Sequence, residues 1–150
     1  MKTLTPQEYL ARERSRRREE GMYEYIQGNL IEMGGVSLIH NRIVGNLHVF
    51  IAARLRELGF EVWQSDLRVT NPALDTYMYP DIVITQDEPV FADSGLDMIT
   101  NPLLIVEVLS DTTEAYDRGE KFERYRSIPS LQEYVLVSQK KPLIESYYRT

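Results

Sequence analysis

Apolar positions along the chain change their period several times, and each change marks an element. Residues 5–20 read as a short polar helix, with Thr5 as N-cap, Pro6 at the first helical position and Glu8 closing a capping box. Residues 22–33 alternate around Gln27-Gly28-Asn29, the pattern of a β-hairpin, and Gly34-Gly35 ends it. Ser37 then caps a long amphipathic helix over residues 37–58. Its apolar positions Ile39, Ile43, Leu47, Phe50, Ile51, Leu55 and Leu58 keep the three-and-four spacing, and Gly59 stops it.

Residues 61–70 alternate like a strand that offers Trp63 to a core, and Asn71-Pro72 turns the chain. Residues 82–85 form a short apolar strand, while the acid-rich stretch 86–101, with Pro89 and Gly95, reads as a loop with room for a short helix. Residues 103–109 are an aliphatic run, which predicts a strand buried on both faces. Asp111, with Glu114 three residues later, predicts the cap of a helix over 111–127, which Pro129 closes. Gly119 within it costs about 1 kcal/mol relative to alanine, which points to a kink or a close backbone approach. Residues 133–137 and 143–148 read as strands on either side of Lys140-Lys141-Pro142. The sum is an α/β (α+β) chain with a mixed sheet flanked by helices.

At 150 residues, 43% hydrophobic and 27% charged, the chain has the size and balance of one globular domain spanning 1–150. Its first 20 residues are expected to be a peripheral helix, because Arg12, Arg14, Arg16, Arg17 and Arg18 are interleaved with Glu13, Glu19 and Glu20 as on a solvated face. The absence of cysteine excludes disulfides, thiolate metal sites and a cysteine nucleophile, and fits a cytoplasmic setting. No run approaches the roughly 20 apolar residues that span a bilayer, and no signal-type segment opens the chain, so no membrane partner is expected. A net charge of −6 argues against coating nucleic acid by bulk electrostatics; any DNA contact is local or metal-assisted.

Against this background one carboxylate stands out. Glu107 lies inside the apolar run 103–109, and burying an ionised carboxylate without a partner is very unfavourable. Asp81 follows Pro80 at the entrance of the 82–85 strand, and Lys121 follows on the next helix. Two acids and a lysine so placed suggest a divalent-metal phosphodiesterase site. Plainer readings exist for each. Pro-Asp is a common turn dipeptide, Asp117 and Lys121 are spaced for a surface ion pair worth a few tenths of a kcal/mol, His40 reads as a water-satisfied surface histidine, and Asp66 reads as exposed.

The element order and the stretches YPD (79–81), EVLSDTT (107–113) and DRGEKFERY (117–125) resemble the Uma-two (Uma2) family of restriction-endonuclease-like domains. The resemblance extends over residues 9–148. It implies a restriction-endonuclease-like αβββαβ core preceded by the N-terminal helix and hairpin, within the PD-(D/E)XK nuclease superfamily. There an Asp and an acidic residue on adjacent strands bind magnesium beside a lysine. Pro80-Asp81 matches the first half of that motif and Glu107 its acidic position. Two residues on, where the strand lysine normally sits, this chain has Leu109. The resemblance assigns that role to Lys121, whose long side chain can reach a phosphate from a neighbouring helix. It further implies Asp81, Glu107 and the Val108 backbone carbonyl as magnesium ligands, with manganese able to substitute. Glu24 and His40 match polar positions of the family and, with Asp117, would stand around the ligands.

These readings lead to a magnesium-dependent DNA endonuclease. The alternative is a module that keeps the nuclease fold without turnover, for nucleic-acid binding or assembly. The last strand, bearing Tyr147 and Tyr148, is expected to be an uncovered edge, which predicts either a homodimer or a truncated C-terminus.

Overall fold

The computed structural model describes residues 3–64 and 66–150. Helix α1 (Pro6–Ser15) carries the expected capping box between Thr5 and Glu8. It is shorter than the sequence pattern suggests, and it is docked rather than peripheral. Tyr9 is fully buried against Tyr25 and Tyr77, and Arg14 binds Asp93 and Asp97 across the molecule. The interleaved charges concealed this, because the partners lie about eighty positions away in the chain.

Strands β1 (Tyr23–Ile26) and β2 (Asn29–Glu32) form the predicted hairpin. Gln27 and Gly28 turn it with φ of 48° and 95°, a backbone twist that glycine adopts without steric penalty. Helix α2 (Leu38–Leu55) starts where Ser37 accepts the His40 N–H and runs into a 3-10 turn, Arg56–Leu58, before Gly59. Its buried stripe is narrower than the seven apolar positions suggest. Val44 and Ala52 are buried and Ile43, Leu47, Ile51 and Leu55 are partly covered, whereas Ile39, Phe50 and Leu58 are exposed.

The single strand expected over residues 61–70 is in fact two strands in two sheets. These are β3 (Phe60–Gln64) and β4 (Arg68–Asn71). Ser65 lies outside the described residues, and the neighbouring Asp66 is exposed with a left-handed φ of 60°, which turns the chain from one sheet into the other. After a 3-10 turn, β5 (Thr76–Met78) pairs antiparallel with both β4 and β1, a strand the sequence pattern did not signal. β6 (Ile82–Gln86) follows. The loop after it holds no helix among the described residues; it contributes the short strand β7 (Met98–Ile99), parallel to β4. β8 (Leu104–Val108) completes the antiparallel run β3-β6-β8.

The helix expected over 111–127 begins later and is broken. Residues 111–113 form a turn, α3 spans Glu114–Arg118 and α4 spans Glu120–Arg126. Asp111 therefore does not cap it; Thr113 occupies the cap position, with no side-chain cap hydrogen bond. The break falls at Gly119, where a Cβ would sit 2.9 Å from the Ala115 carbonyl oxygen. β9 (Glu133–Val137) then pairs parallel with β8, and β10 (Ile144–Tyr148) antiparallel with β9.

The strands make two five-stranded mixed sheets, ordered β2-β1-β5-β4-β7 and β10-β9-β8-β6-β3. The second contains the expected αβββαβ core. Its alternation decides which way each side chain points. Ile82, Ile84, Val106 and Val108 pack with α2, whereas Val83, Ile105 and Leu109 pack with Tyr125 of α4 and with Val69, Met78 and Ile99 of the other sheet. Glu107 shares the parity of Ile105 and Leu109, so it faces α4. No helix among the described residues is long and apolar enough to cross a membrane.

Candidate active site

The opposed faces of β8 and α4 bring Glu107 and Lys121 together. Lys121 Nζ lies 2.8 Å from Glu107 Oε1 and 2.9 Å from Glu24 Oε1, and donates to the Tyr79 carbonyl oxygen at 3.1 Å. The three charged residues are 2%, 3% and 0% exposed in the order Lys121, Glu107, Glu24. Asp117, four residues before Lys121 across the break at Gly119 and equally buried, approaches it to 3.9 Å. The surface ion pair that the Asp117 to Lys121 spacing suggested is thus a buried cluster with several carboxylates around one ammonium.

Two tyrosines that the sequence did not single out complete this cluster. Tyr125 Oη donates to Glu107 Oε1 at 3.0 Å, and Tyr116 Oη donates to Glu24 Oε2 at 2.5 Å. Tyr125 was legible in principle, because it stands four residues after Lys121 on the same helical face. Tyr116 was not, since the break at Gly119 destroys the helical register between it and Lys121.

Asp81 stands one residue before β6. Its Oδ2 accepts the Val108 N–H at 2.7 Å, which ties the entrance of β6 to the end of β8. Its Oδ1 lies 3.1 Å from His40 Nε2. His40 is therefore no water-satisfied surface residue: it is partly buried on the first turn of α2, and its Nδ1 has no partner among the described residues. Asp81, Glu107, Val108, His40, Asp117 and Lys121 all line one pocket of about 410 Å³. Ile31 to Ser37, Ile39, Leu109 to Glu114 with the hydroxyls of Ser110, Thr112 and Thr113, Tyr116, and the Ser138 to Lys140 turn form the rest of its wall. Asp66 is exposed and outside the pocket.

The electrostatics follow from this crowding. Burial pushes the Glu107 carboxyl well above the usual carboxylate range, with Lys121 pulling the other way and Asp81 adding to the rise. Burial also pushes Asp117 up to about 6 despite Lys121. Burial disfavours the Lys121 charge, yet Glu107, Glu24 and Asp117 outweigh it and hold the ammonium firmly protonated. The hydrogen bond with Asp81 holds the His40 imidazole above its ordinary range, against its partial burial. One lysine cannot neutralise all these acids, so at least one remains protonated unless another cation joins them. Among the described residues no three Asp, Glu or His side chains form a ready ligand group. Asp81 and Glu107 with a backbone carbonyl nonetheless offer the oxygen donors that a hard dication takes when it keeps several waters.

The two mixed sheets with helices on the core sheet, and carboxylates converging at adjacent strand ends, define a restriction-endonuclease-like α+β fold. The sequence profile of the Uma2 family, described as "Putative restriction endonuclease", matches residues 6–150, and the chain belongs to this family. It is 38% identical over 148 residues to the uncharacterized protein sll1609 of Synechocystis sp., covering 99% of this chain and 82% of that one. It is 39% identical over 146 residues to slr1290 of the same organism, covering 97% and 74%. A crystal structure described as a putative nuclease belonging to DUF820, from Anabaena variabilis, superposes with a TM-score of 0.73 at 16% identity, over 97% of this chain and 85% of the other. At that identity the likeness speaks for the fold.

Proposed function

We propose that this chain is a magnesium-dependent DNA endonuclease. The observation that carries the reading is the meeting of Asp81, Glu107 and Lys121 in one pocket, from the entrance of β6, the end of β8 and the face of α4. The excess of buried carboxylate over ammonium supports a cation as the missing charge. Lys121 and Tyr125 both engage Glu107 Oε1, so Oε2 is the oxygen available to it. Asp81 and the Val108 carbonyl would be the other protein ligands, with His40 fixing the Asp81 carboxylate. Magnesium bound there would supply a Lewis acid for a phosphoryl oxygen and a water of lowered pKa. Lys121 stays charged and steadies the negative charge that develops on the phosphoryl oxygens.

A second reading has its own support. The ammonium of Lys121 has three donors, and Tyr79, Glu24 and Glu107 take all of them. A cluster so satisfied also suits a nuclease fold retained for binding without turnover. Incubating supercoiled plasmid with the protein and magnesium separates the two. Nicking that chelator stops, and that Asp81→Asn lacks, supports the enzyme; binding without nicking supports the module.

The exposed edge β10, with Ile144 and Tyr148 uncovered, supports pairing with a second copy. Sedimentation equilibrium tests this. A mass that stays monomeric at high concentration rejects it.

A further inference from the structure

Glu24 reaches Lys121 from the other sheet. It is fully buried and, among the described residues, does not line the pocket. Oε1 receives the Tyr79 N–H at 2.8 Å together with the Lys121 ammonium, and Oε2 receives the Tyr116 hydroxyl. Both oxygens are therefore turned inward and occupied, which leaves Glu24 poorly suited to bind a cation in the pocket. Its partner Tyr79 also offers its carbonyl oxygen to Lys121, so one short segment of backbone and one carboxylate grip two of the three ammonium donors. The third donor points at Glu107, which does line the pocket. We propose that Glu24 is the positioning residue of Lys121: with the Tyr79 carbonyl it anchors the ammonium on the side away from the pocket, so that its remaining donor and its charge are held toward Glu107 and the pocket.

This inference rests on Lys121 acting in the pocket, as the nuclease reading requires. It makes Lys121 a group fixed by the N-terminal hairpin, so that the two sheets must dock before the site is complete. Tyr116 closes the anchor by holding Oε2. A glutamine at position 24 keeps an acceptor for the Tyr79 N–H but removes the charge that grips the ammonium, which makes it the sharpest probe. Residues that orient groups in a site without touching substrate typically contribute about 10- to 100-fold in activity.

The experiment uses the full chain with Glu24→Gln and Tyr116→Phe, folding being checked by circular dichroism. Three quantities are read: kcat and KM for plasmid nicking, magnesium affinity by calorimetry, and the 1H–15N signal of the Lys121 ammonium, which tight hydrogen bonding protects from exchange. The expected result for Glu24→Gln is a kcat lower by about 10- to 100-fold, with KM and magnesium affinity little changed and the ammonium signal lost. Tyr116→Phe keeps every charge and should show a smaller loss in the same direction; it carries the test if Glu24→Gln does not fold. A magnesium affinity that falls in step with kcat would make Glu24 a ligand and overturn the proposal, as would an unchanged ammonium signal. If the parent cleaves nothing, the nuclease reading fails, and the ammonium signal still decides whether Glu24 anchors Lys121.

Discussion

Lys121 Nζ and Glu107 Oε1 are 2.8 Å apart in the interior, one carried by α4 and the other by the strand it packs against. Removing only the cation from such a pair leaves Glu107 and Glu24 buried and uncompensated, which is destabilising by about 3–5 kcal/mol. Lys121→Met is therefore expected to abolish cleavage and also to lower stability by that amount at neutral pH. An exposed pair would give a change below about 1 kcal/mol. Urea unfolding followed at pH 7 distinguishes the two, and a loss under 1 kcal/mol contradicts the buried cluster.

Asp117 gives the cluster a pH signature. Burial raises it from 3.8 to about 6, so the folded protein keeps a proton that the unfolded chain releases between those values. Its contribution to stability is complete below the unfolded value and is lost as pH rises through about 6. Asp117→Asn should match the parent near pH 4 and exceed it at pH 8 by on the order of 3 kcal/mol. The depressed carboxyls of Asp93 and Asp97, held low by Arg14, act only at the acid end and are common to both proteins. Equal stability of the two proteins at pH 8 would rule this out.

Gly119 reverses the usual rule for helices. Exchange of glycine for alanine inside a regular helix stabilises by about 1 kcal/mol. Here the new Cβ would meet the Ala115 carbonyl oxygen at 2.9 Å, a rigid backbone atom. Gly119→Ala should instead destabilise by about 1–3 kcal/mol and disturb Lys121 two residues on. A thermal melt higher than the parent's would show that the break between α3 and α4 is relaxed rather than enforced.

The centre of the core sheet was legible because β6 and β8 are compact apolar runs, and the odd-even parity around Glu107 already directs it to the face opposite Val106 and Val108. Glu107 was readable because a charge inside an apolar strand demands partners, whereas the role of Lys121 was suggested by the family resemblance rather than by its own position. What the sequence concealed depends on contacts distant along the chain. The second sheet is assembled from short strands such as β5 and β7, too brief to show a period. The docking of α1 has Tyr9 as its one fully buried apolar anchor, joined by charged residues whose partners lie far along the chain, and His40 meets Asp81 only once α2 is laid on the sheet.

Cation binding should show as stability. Magnesium or manganese is expected to stabilise the protein, by about 2.7 kcal/mol at one hundred times the dissociation constant, and so to raise the melting temperature in a concentration-dependent way. Glu107→Gln and Asp81→Asn should melt higher than the parent in chelator, because carboxylate repulsion is relieved, and should lose the response to metal. A response shared equally by all three proteins would exclude these carboxylates as ligands.

The site is tested most directly by a crystal soaked in manganese and measured for anomalous scattering. A peak is expected within about 2.0–2.3 Å of a carboxylate oxygen of both Asp81 and Glu107, beside the Val108 carbonyl and on the pocket side of Lys121. A well-diffracting crystal at saturating manganese with no peak between those two carboxylates, or with its peak elsewhere, would contradict the account.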